Sequence, residues 1–265
     1  MIEVQHRTAP VWQSRVPFRV HVKGDGPPLV FFHGPWGLQW GPFLDALAGS
    51  FTVYAPEHPG TTPGEPDSIQ QIDTLWDLVL CYDELLDHLE LPEAVLVGHS
   101  FGGMVACEVA AARPPRARRL VLIDPLGLWR EDAPVVNWML HPPHELAEWV
   151  FHDPRAAAAR EMFAMPSGQE EAAVARTQLI WAMGATGKFI WPIPDKGLKK
   201  RIHRVTAPVL MVWGREDRLV PASYAETFTG RLVSAKTELI DGAGHAPHLE
   251  RPEVVTRLVQ SFLQE

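Results

Sequence analysis

The sequence predicts an α/β fold in which a mostly parallel central sheet is flanked by helices and interrupted by a helical insertion. Two observations carry this prediction. Short apolar, β-rich runs alternate with segments of helical periodicity, which is typical of a parallel sheet covered on both faces. One long internal stretch breaks the alternation, since it holds prolines and helical patterns but no convincing strand. A chain of 265 residues is long enough for one large α/β domain with such an insertion.

Six short β-rich runs are the predicted strands of the central sheet. Most are apolar throughout, as expected for strands that are buried on both faces. The opening segment, up to Gly26, alternates between apolar and polar residues and is predicted to form one or two antiparallel edge strands. The six runs are 28–33, 51–56, 94–99, 119–124, 208–214 and 237–241. Helical spacing of apolar residues predicts helices at 75–89, 100–112, 155–163, 170–183 and 253–263.

Residues 127–203 are predicted to form a helical cap, or lid, inserted into a core domain that consists of residues 1–126 and 204–265. The insertion is rich in tryptophan, and a cap of that composition favours an apolar substrate. Trp129 and Trp138, near the start of the insertion, are the candidate substrate-binding residues. The tryptophans of the insertion are Trp129, Trp138, Trp149, Trp181 and Trp191.

The string Gly98-His99-Ser100-Phe101-Gly102 joins a predicted strand to a predicted helix. It fits the pattern G-x-S-x-G, in which a strained strand-to-helix turn projects the serine Oγ above the sheet. Glycine at both ends relieves the crowding, because a Cβ there would press on the opposite limb of the turn. The helix that begins at the serine aims its N-terminal N–H groups and its dipole at a developing negative charge. We therefore expect Ser100 to be a nucleophile.

A serine hydroxyl needs a base to activate it, and the base needs a carboxylate to orient it. Asp217 follows an apolar run in the string W-G-R-E-D, and His245 follows the last predicted strand in the string D-G-A-G-H. Both residues are expected at the carboxyl ends of late strands, the edge where open α/β sheets build their sites. The order Ser100, Asp217, His245 along the chain is the order expected for a catalytic triad on such a sheet.

Other segments add to this pattern. They are an H-G loop after an early strand, the string A-P-E-H-P-G at residues 55–60, and the motifs G-x-x-D and G-H-x-P-H-L-E-x-P-E. With the serine turn and the helical insertion, they make the chain resemble the α/β-hydrolase fold superfamily over nearly its whole length. The resemblance implies that Ser100 is the nucleophile, that His245 is the general base and then the general acid, and that Asp217 orients His245.

The resemblance also implies an oxyanion hole made of two backbone N–H groups. One is expected from Phe101, the residue after the nucleophile, and the other from the H-G-P-W-G loop at residues 33–37. The usual donor in that loop is the residue directly after H-G, but here that residue is Pro35, which has no N–H. The candidate donor is therefore Trp36, with Pro35 stiffening the loop. The open alternative is that Phe101 acts together with a side chain or a water molecule.

A serine nucleophile with a histidine base supports acyl transfer through an acyl-enzyme. The expected protein is a carboxylesterase-like serine hydrolase of a small, largely apolar ester, with no metal and no organic cofactor. Serine at this position argues against the dehalogenases and epoxide hydrolases of the superfamily, which carry aspartate there. The alternatives are a carbon–carbon bond hydrolase of ring-cleavage products, a lyase or cofactor-free oxygenase, and a receptor-like ligand-binding protein. Carbon–carbon hydrolases often carry Asn before the serine and Trp soon after the histidine, whereas this chain has His99 and Ala246-Pro247.

Three other polar residues compete for roles at this site. Asp124, at the end of a predicted strand, is an alternative acid for the triad. Glu216 is adjacent to Asp217 and is expected to face solvent. His248 lies three residues after His245, but a metal site on this pair would lack an evident third ligand, so a structural role is expected.

Composition excludes several other classes of protein. A formal charge of −8 and a pI near 5.8 argue against a nucleic-acid surface. The two cysteines, Cys81 and Cys107, are too few for a disulfide framework and are expected to be buried free thiols. The N-terminal segment lacks the apolar core of a signal peptide, and no apolar stretch of about 18 residues occurs. We expect a cytoplasmic monomer or homodimer that acts on a small molecule and binds no membrane.

Overall fold

The computed structural model describes residues 3–265, and one eight-stranded sheet forms its centre. The strands are β1 (Gln5–Val11), β2 (Val16–Lys23), β3 (Pro28–Phe32), β4 (Thr52–Pro56), β5 (Ala94–His99), β6 (Ala117–Ile123), β7 (Val209–Gly214) and β8 (Ala235–Ile240). Their order across the sheet is β1-β2-β4-β3-β5-β6-β7-β8. β2 pairs antiparallel with β1 and β4, and the other pairs are parallel. The mostly parallel sheet predicted from the sequence is confirmed.

Helices flank the sheet, as predicted. They are α1 (Pro42–Leu47), α2 (Leu75–His88), α3 (Phe101–Ala112), α4 (Leu146–Val150), α5 (Ala157–Met162), α6 (Gln169–Gly187), α7 (Leu198–Arg201), α8 (Tyr224–Thr229), α9 (Pro247–Glu250) and α10 (Pro252–Gln264). Short 3-10 turns lie at Pro66–Gln71, Pro114–Arg116, Trp138–Leu140, Pro143–Glu145 and Ile202–Arg204. The sharp start of α2 has a local cause, because Thr74 and Asp77 form a reciprocal capping box there.

The sheet separates two apolar layers. Side chains alternate along a strand, so neighbouring residues of one strand serve opposite layers. In β3, Val30 and Phe32 join the layer that contains the apolar faces of α2 and α3, whereas Leu29 and Phe31 join the layer that contains α1 and α10. β5 and β7 are buried at every residue, which explains why their sequences are apolar apart from His99 at the end of β5.

The stretch between β6 and β7 carries α4 to α7 and 3-10 turns, with no strand in residues 124–208, all of which the structure describes. The helical insertion predicted from the sequence falls in this stretch. The boundaries of the two domains and the role of residues 127–203 as a cap stay predictions. Two contacts connect this stretch to the rest of the fold. Arg201 donates two hydrogen bonds, of 2.8 and 2.6 Å, to the buried Glu108 of α3. The Thr186 hydroxyl of α6 lies 3.3 Å from the carbonyl oxygen of Pro35.

Cys81 and Cys107 are buried free thiols, as predicted. Burial raises the pKa of Cys81 to about 12, so this thiol carries no thiolate at neutral pH. No helix within residues 3–265 combines the length and the apolar character that crossing a membrane requires.

The turn between β5 and α3 places Ser100 above the carboxyl edge of the sheet. Ser100 has φ 55° and ψ −118°, a backbone conformation that residues other than glycine seldom adopt. Its N–H donates to the carbonyl oxygen of Ile123 at 2.9 Å, which ties the turn to β6. A Cβ at Gly98 would lie 2.5 Å from the Gly102 carbonyl oxygen, and a Cβ at Gly102 would overlap the Phe32 carbonyl oxygen. The strained turn therefore requires glycine at both positions.

Replacing Gly102 with alanine is expected to prevent folding or to lower the free energy of unfolding by about 3 kcal/mol or more, because the new Cβ would overlap backbone oxygens at the end of β3. The matched control is Gly184→Ala in α6, where the space for a Cβ is open. That change is expected to raise the free energy of unfolding by roughly 0.5–1 kcal/mol. Urea unfolding followed by circular dichroism measures both, and wild-type stability of Gly102→Ala would contradict this description of the turn.

Candidate active site

Ser100, Asp217 and His245 meet at the carboxyl edge of the sheet, in the loops after β5, β7 and β8. His245 Nε2 lies 2.8 Å from Ser100 Oγ, and His245 Nδ1 lies 2.7 Å from Asp217 Oδ2. Ser100 and His245 are 0% exposed, and Asp217 is 7% exposed. The structure thus brings the three residues that the sequence singles out into one buried, hydrogen-bonded row.

The Asp217 carboxylate is held by the backbone of its own loop. Its Oδ1 accepts hydrogen bonds from the N–H groups of Leu219 and Val220, at 2.8 and 2.9 Å. With His245 on Oδ2, three N–H donors stabilise a negative charge on this group. Because His245 donates to Asp217 through Nδ1, its Nε2 is left without a proton and accepts from the Ser100 hydroxyl. A general base needs this tautomer.

The other two candidate carboxyl groups occupy different places. Glu216 is partly exposed, and its Oε2 accepts a hydrogen bond from the Ala243 N–H at 3.1 Å. That bond joins the loops after β7 and β8. Asp124 directly follows β6 and is fully buried. Asp217, not Asp124, bonds to His245. Burial, followed by the charge of Asp217, raises the pKa of Asp124 well above its usual range.

Asp124, Asp217 and His245 lie close enough together to contact a single metal ion, since one oxygen or nitrogen atom from each is within 4.8 Å of the others. Their hydrogen bonds argue against this use. His245 Nδ1 and both oxygens of Asp217 already have partners inside the protein. A cation would have to break the Asp217–His245 bond to gain its ligands, so this donor set fits a triad better than a metal site.

The backbone of His245 is held from two sides. His99 Nε2 donates to the His245 carbonyl oxygen at 2.7 Å. The His245 N–H donates to the carbonyl oxygen of Val150 in α4, also at 2.7 Å. His248 packs on the ring of His99 with centroids 4.4 Å apart. The candidate base is therefore positioned jointly by the sheet edge and by a helix of the stretch between β6 and β7.

Two buried histidines fix the H-G loop. The Tyr82 hydroxyl donates to His58 Nδ1, and His58 Nε2 donates to the carbonyl oxygen of His33 at 2.8 Å. His33 Nε2 accepts from the His58 N–H at 2.9 Å, while His33 Nδ1 donates to the Gly34 carbonyl oxygen at 2.6 Å. Each ring thus needs one protonated nitrogen. Sequence reasoning assigned no role to His58 or Tyr82; the string A-P-E-H-P-G was the available signal for His58.

Phe101 and the start of the H-G loop, two segments expected to contribute to the oxyanion hole, lie close to the nucleophile. Phe101 is the first residue of α3, directly after Ser100. A Cβ at Gly34 would lie 3.8 Å from the Ser100 Cβ, so the H-G loop runs beside the serine. Within residues 3–265, the N–H groups of Phe101 and Trp36 donate to no backbone acceptor.

Aromatic side chains cover the base. The Trp36 ring makes T-shaped contact with His245 at 6.1 Å between centroids and packs on Trp138 at 5.9 Å. Trp138 is fully buried and packs in turn on Trp191 at 4.9 Å. The indole N–H groups of these three tryptophans have no hydrogen-bond partner among the described residues. Trp129 is half-buried, and its indole N–H donates to a carboxylate oxygen of Glu131 in an exposed hydrogen bond.

A pocket of about 220 Å³ opens beside Trp36. Its walls come from the H-G loop, the loop after β4, and the helices α5 and α6, so it lies between the sheet edge and the predicted insertion. Polar and apolar groups share the lining, which includes Trp36, Glu57, Thr61, Met162, Gln178 and Leu179.

Known proteins share this fold and sequence pattern. The model of the alpha/beta hydrolase family matches residues 29–258. A pimeloyl-[acyl-carrier protein] methyl ester esterase from Aromatoleum aromaticum is 29% identical over 262 residues, which cover 90% of this chain and 98% of that protein. A 2-hydroxymuconate semialdehyde hydrolase from Pseudomonas sp. (strain CF600) is 29% identical over 93% of this chain and 90% of its own length. The carboxylesterase CesB of Bacillus subtilis aligns with a TM-score of 0.76 and 21% identity, over 98% of this chain and 92% of that one.

The chain therefore belongs to the alpha/beta hydrolase family, and it is a hydrolase. The resemblance stated from the sequence is confirmed at this level. The match begins within β3 and ends within α10, so it includes every loop that contributes to the candidate site.

The stability of the protein is expected to depend on pH through four buried histidines. Burial holds their pKa values below that of a free histidine, to about 4 for His58 and about 3 for His248. As the pH falls from about 6.5, the unfolded chain binds protons that the folded chain does not. Burial raises the pKa values of Asp124 and Glu250, so these two groups stabilise the folded chain as the pH falls. They are fewer than the four histidines. The four are His33, His58, His99 and His248.

We expect the free energy of unfolding to fall between pH 6.5 and 4.5, by about 1.4 kcal/mol per pH unit for each net proton. Urea unfolding across this range measures the slope. His248→Leu removes one of the four groups and should reduce the slope by about 1.4 kcal/mol per pH unit. His144→Gln, at an exposed histidine, is the control and should leave the slope unchanged. A flat profile in the wild type would contradict the neutral, buried rings.

Proposed function

We propose that the protein is a serine hydrolase that cleaves a carboxylic ester of a small, largely apolar molecule through an acyl-enzyme. One observation carries the proposal: the buried row in which His245 lies 2.7 Å from Asp217 and 2.8 Å from Ser100. The strained turn that aims Ser100 away from the sheet also supports it. In this proposal Ser100 is the nucleophile, His245 the base, and Asp217 the group that orients the base.

The first half-reaction forms the acyl-enzyme. Ser100 Oγ attacks the ester carbonyl carbon while His245 Nε2 takes the hydroxyl proton. Asp217 stabilises the resulting imidazolium through Nδ1. The tetrahedral intermediate collapses when Nε2 passes its proton to the oxygen of the leaving alcohol. In the second half-reaction, Nε2 takes a proton from water and the water oxygen attacks the acyl carbon. The bond from the acyl carbon to Ser100 Oγ then breaks, Nε2 returns its proton to Oγ, and the acid is released. These steps use no metal and no organic cofactor.

The oxyanion of each intermediate is bound by the N–H groups of Phe101 and Trp36. The Pro35–Trp36 peptide supports this role for Trp36, because the carbonyl oxygen of Pro35 faces the Thr186 hydroxyl of α6 at 3.3 Å. The N–H and C=O of a trans peptide point in opposite directions, so the Trp36 N–H points away from α6. The Phe101 N–H lies at the start of α3, where the helix dipole favours negative charge.

The surroundings of the site favour a small ester with apolar groups. Residues 127–203 form the cap in this proposal, and their Trp138 and Phe163 pack on Trp36 beside the base. The relative from Aromatoleum aromaticum is named for a methyl ester, and the Bacillus subtilis protein is named a carboxylesterase. Both names support ester hydrolysis.

Hydrolysis of a carbon–carbon bond in a ring-cleavage product is the second candidate. The relative from Pseudomonas, a 2-hydroxymuconate semialdehyde hydrolase, favours it. The same triad serves both reactions, because each begins with activation at a carbonyl group. The ester is preferred here because His99 precedes the serine and Ala246-Pro247 follows the histidine.

The wild type is expected to hydrolyse p-nitrophenyl esters, with the highest kcat/KM on short acyl chains. Ser100→Ala is expected to lower kcat by about 10⁴-fold or more, because it removes the nucleophile. Release of p-nitrophenol from acetate, butyrate, octanoate and laurate esters measures the chain-length preference. Acid production from a methyl ester of a dicarboxylic acid, followed by titration, extends the series. The matched control is Ser50→Ala, at an exposed serine.

Three outcomes would contradict the ester proposal. If no ester is turned over faster than by Ser100→Ala, ester hydrolysis fails. Bleaching of a dienoate ring-cleavage product in place of ester turnover would favour the second candidate. Tight ligand binding without sustained turnover would favour a receptor.

Replacing Pro35 with glycine is expected to lower kcat about tenfold or more with little change in KM, because a mobile loop no longer holds the Trp36 N–H toward the oxyanion. Initial rates on the best ester measure the effect. Pro142→Gly, at an exposed proline, is the control and should leave both constants unchanged. A rise in kcat for Pro35→Gly would instead show that a donor at position 35 is better, and would contradict the role of Trp36.

A further inference from the structure

Asp124 is a fully buried carboxyl group that the proposed mechanism does not use. Its backbone has φ 43°, in the left-handed region that aspartate, asparagine and glycine tolerate best. Its Oδ1 accepts a hydrogen bond from the N–H of Gly214, the last residue of β7, at 2.9 Å. Its Oδ2 is buried and has no hydrogen-bond partner among the described residues. A buried, unpartnered oxygen calls for a physical explanation.

Asp124 and Asp217 compete for a single negative charge. An oxygen of each lies within 4.8 Å of the other and of a His245 ring nitrogen. Two adjacent carboxylates in a buried site do not both ionise, and the one with more N–H donors keeps the charge. Asp217 has three such donors and Asp124 has one. The proton therefore resides on Asp124. Burial, the charge of Asp217 and, more weakly, that of Glu250 raise its pKa accordingly.

We propose that the Asp124 carboxyl group donates a hydrogen bond to Asp217 and thereby positions the Asp217 carboxylate against His245. This bond gives Asp124 Oδ2 the partner that it otherwise lacks. Oδ1 meanwhile holds Gly214, three residues before Asp217. Asp124 thus fixes both the side chain of Asp217 and the start of its loop. It is a positioning residue, and its kinetic effect rests on the proposed function.

Asparagine reproduces both contacts of a protonated Asp124. Its amide oxygen accepts from the Gly214 N–H, its NH₂ group donates to Asp217, and its backbone tolerates a positive φ. Glycine tolerates the same φ but has neither contact. The variants Asp124→Asn and Asp124→Gly therefore separate the hydrogen bonds from the strain of the backbone.

On the best ester, Asp124→Gly is expected to lower kcat about tenfold or more with little change in KM, because Asp124 does not touch the substrate. Asp124→Asn is expected to recover most of that loss. In Asp124→Asn, the pH at which kcat/KM falls on the acid side should equal the wild-type value. The groups that face Asp124, which are Asp217, His245 and Glu250, are unaltered in this variant. If Asp124 were an anion, asparagine would remove a negative charge near His245 and move the acid limb to lower pH. That shift, or an equal loss in both variants, would overturn the proposal.

Infrared spectroscopy tests the same inference without turnover. The wild-type-minus-Asp124→Asn difference spectrum at pH 7 should contain one C=O band of a protonated carboxyl group, and its absence would overturn the proposal. The band reports the proton on Asp124 whether or not the protein hydrolyses esters. Failure of the proposed function can therefore be told apart from failure of this inference. Thermal unfolding checks that each variant is folded. Should Asp124→Gly not fold, the pH profile and the spectrum of Asp124→Asn decide.

Discussion

The hydrogen bond between His245 Nδ1 and Asp217 Oδ2 is the interaction on which the carboxyl edge of this protein depends. It fixes the tautomer of the imidazole and leaves Nε2 as the acceptor that faces Ser100. Both side chains are 0% exposed, so no water molecule replaces a lost partner. Breaking a buried pair of this kind by removing one partner costs about 3–5 kcal/mol, because the other group is left buried and uncompensated. The surrounding contacts keep these two groups in place.

Those contacts come from both sides of the site. The sheet edge supplies the loop N–H groups on Asp217 and the His99 bond to the His245 carbonyl oxygen. The stretch between β6 and β7 supplies the Val150 carbonyl oxygen that binds the His245 N–H, and the Thr186 hydroxyl that faces Pro35. A displacement of α4 would therefore move the base, and a displacement of α6 would move the H-G loop.

The sequence predicts much of this arrangement for a physical reason. Strands buried on both faces are apolar throughout, so the parallel strands are recognisable with their ends nearly correct, as in β5. The residues Ser100, Asp217 and His245 then follow from turn chemistry and chain order. The pairing of Asp124 with Asp217 is not encoded in any local pattern, because the two residues are distant in sequence and meet only through the packing of β6 on β7. For the same reason Trp138 and Trp129 look alike in the sequence, although only Trp138 packs on Trp36.

The charge balance of the site explains why so many ionisable groups are buried beside one triad. His33, His58, His99 and His248 stay neutral because burial lowers their pKa values. In the proposed mechanism the Ser100 proton moves to His245, which becomes a cation between Asp217 and the oxyanion. A second charged histidine nearby would oppose that step, because like charges in a medium of low dielectric constant repel strongly. The neutral rings of His33, His58 and His99 make hydrogen bonds, and the ring of His248 packs on His99, without such repulsion. With one proton on Asp124, the net charge of the site is about −1 in the ground state, where only Asp217 is charged. It stays about −1 in the intermediate, because the positive charge of His245 balances the negative charge of the oxyanion.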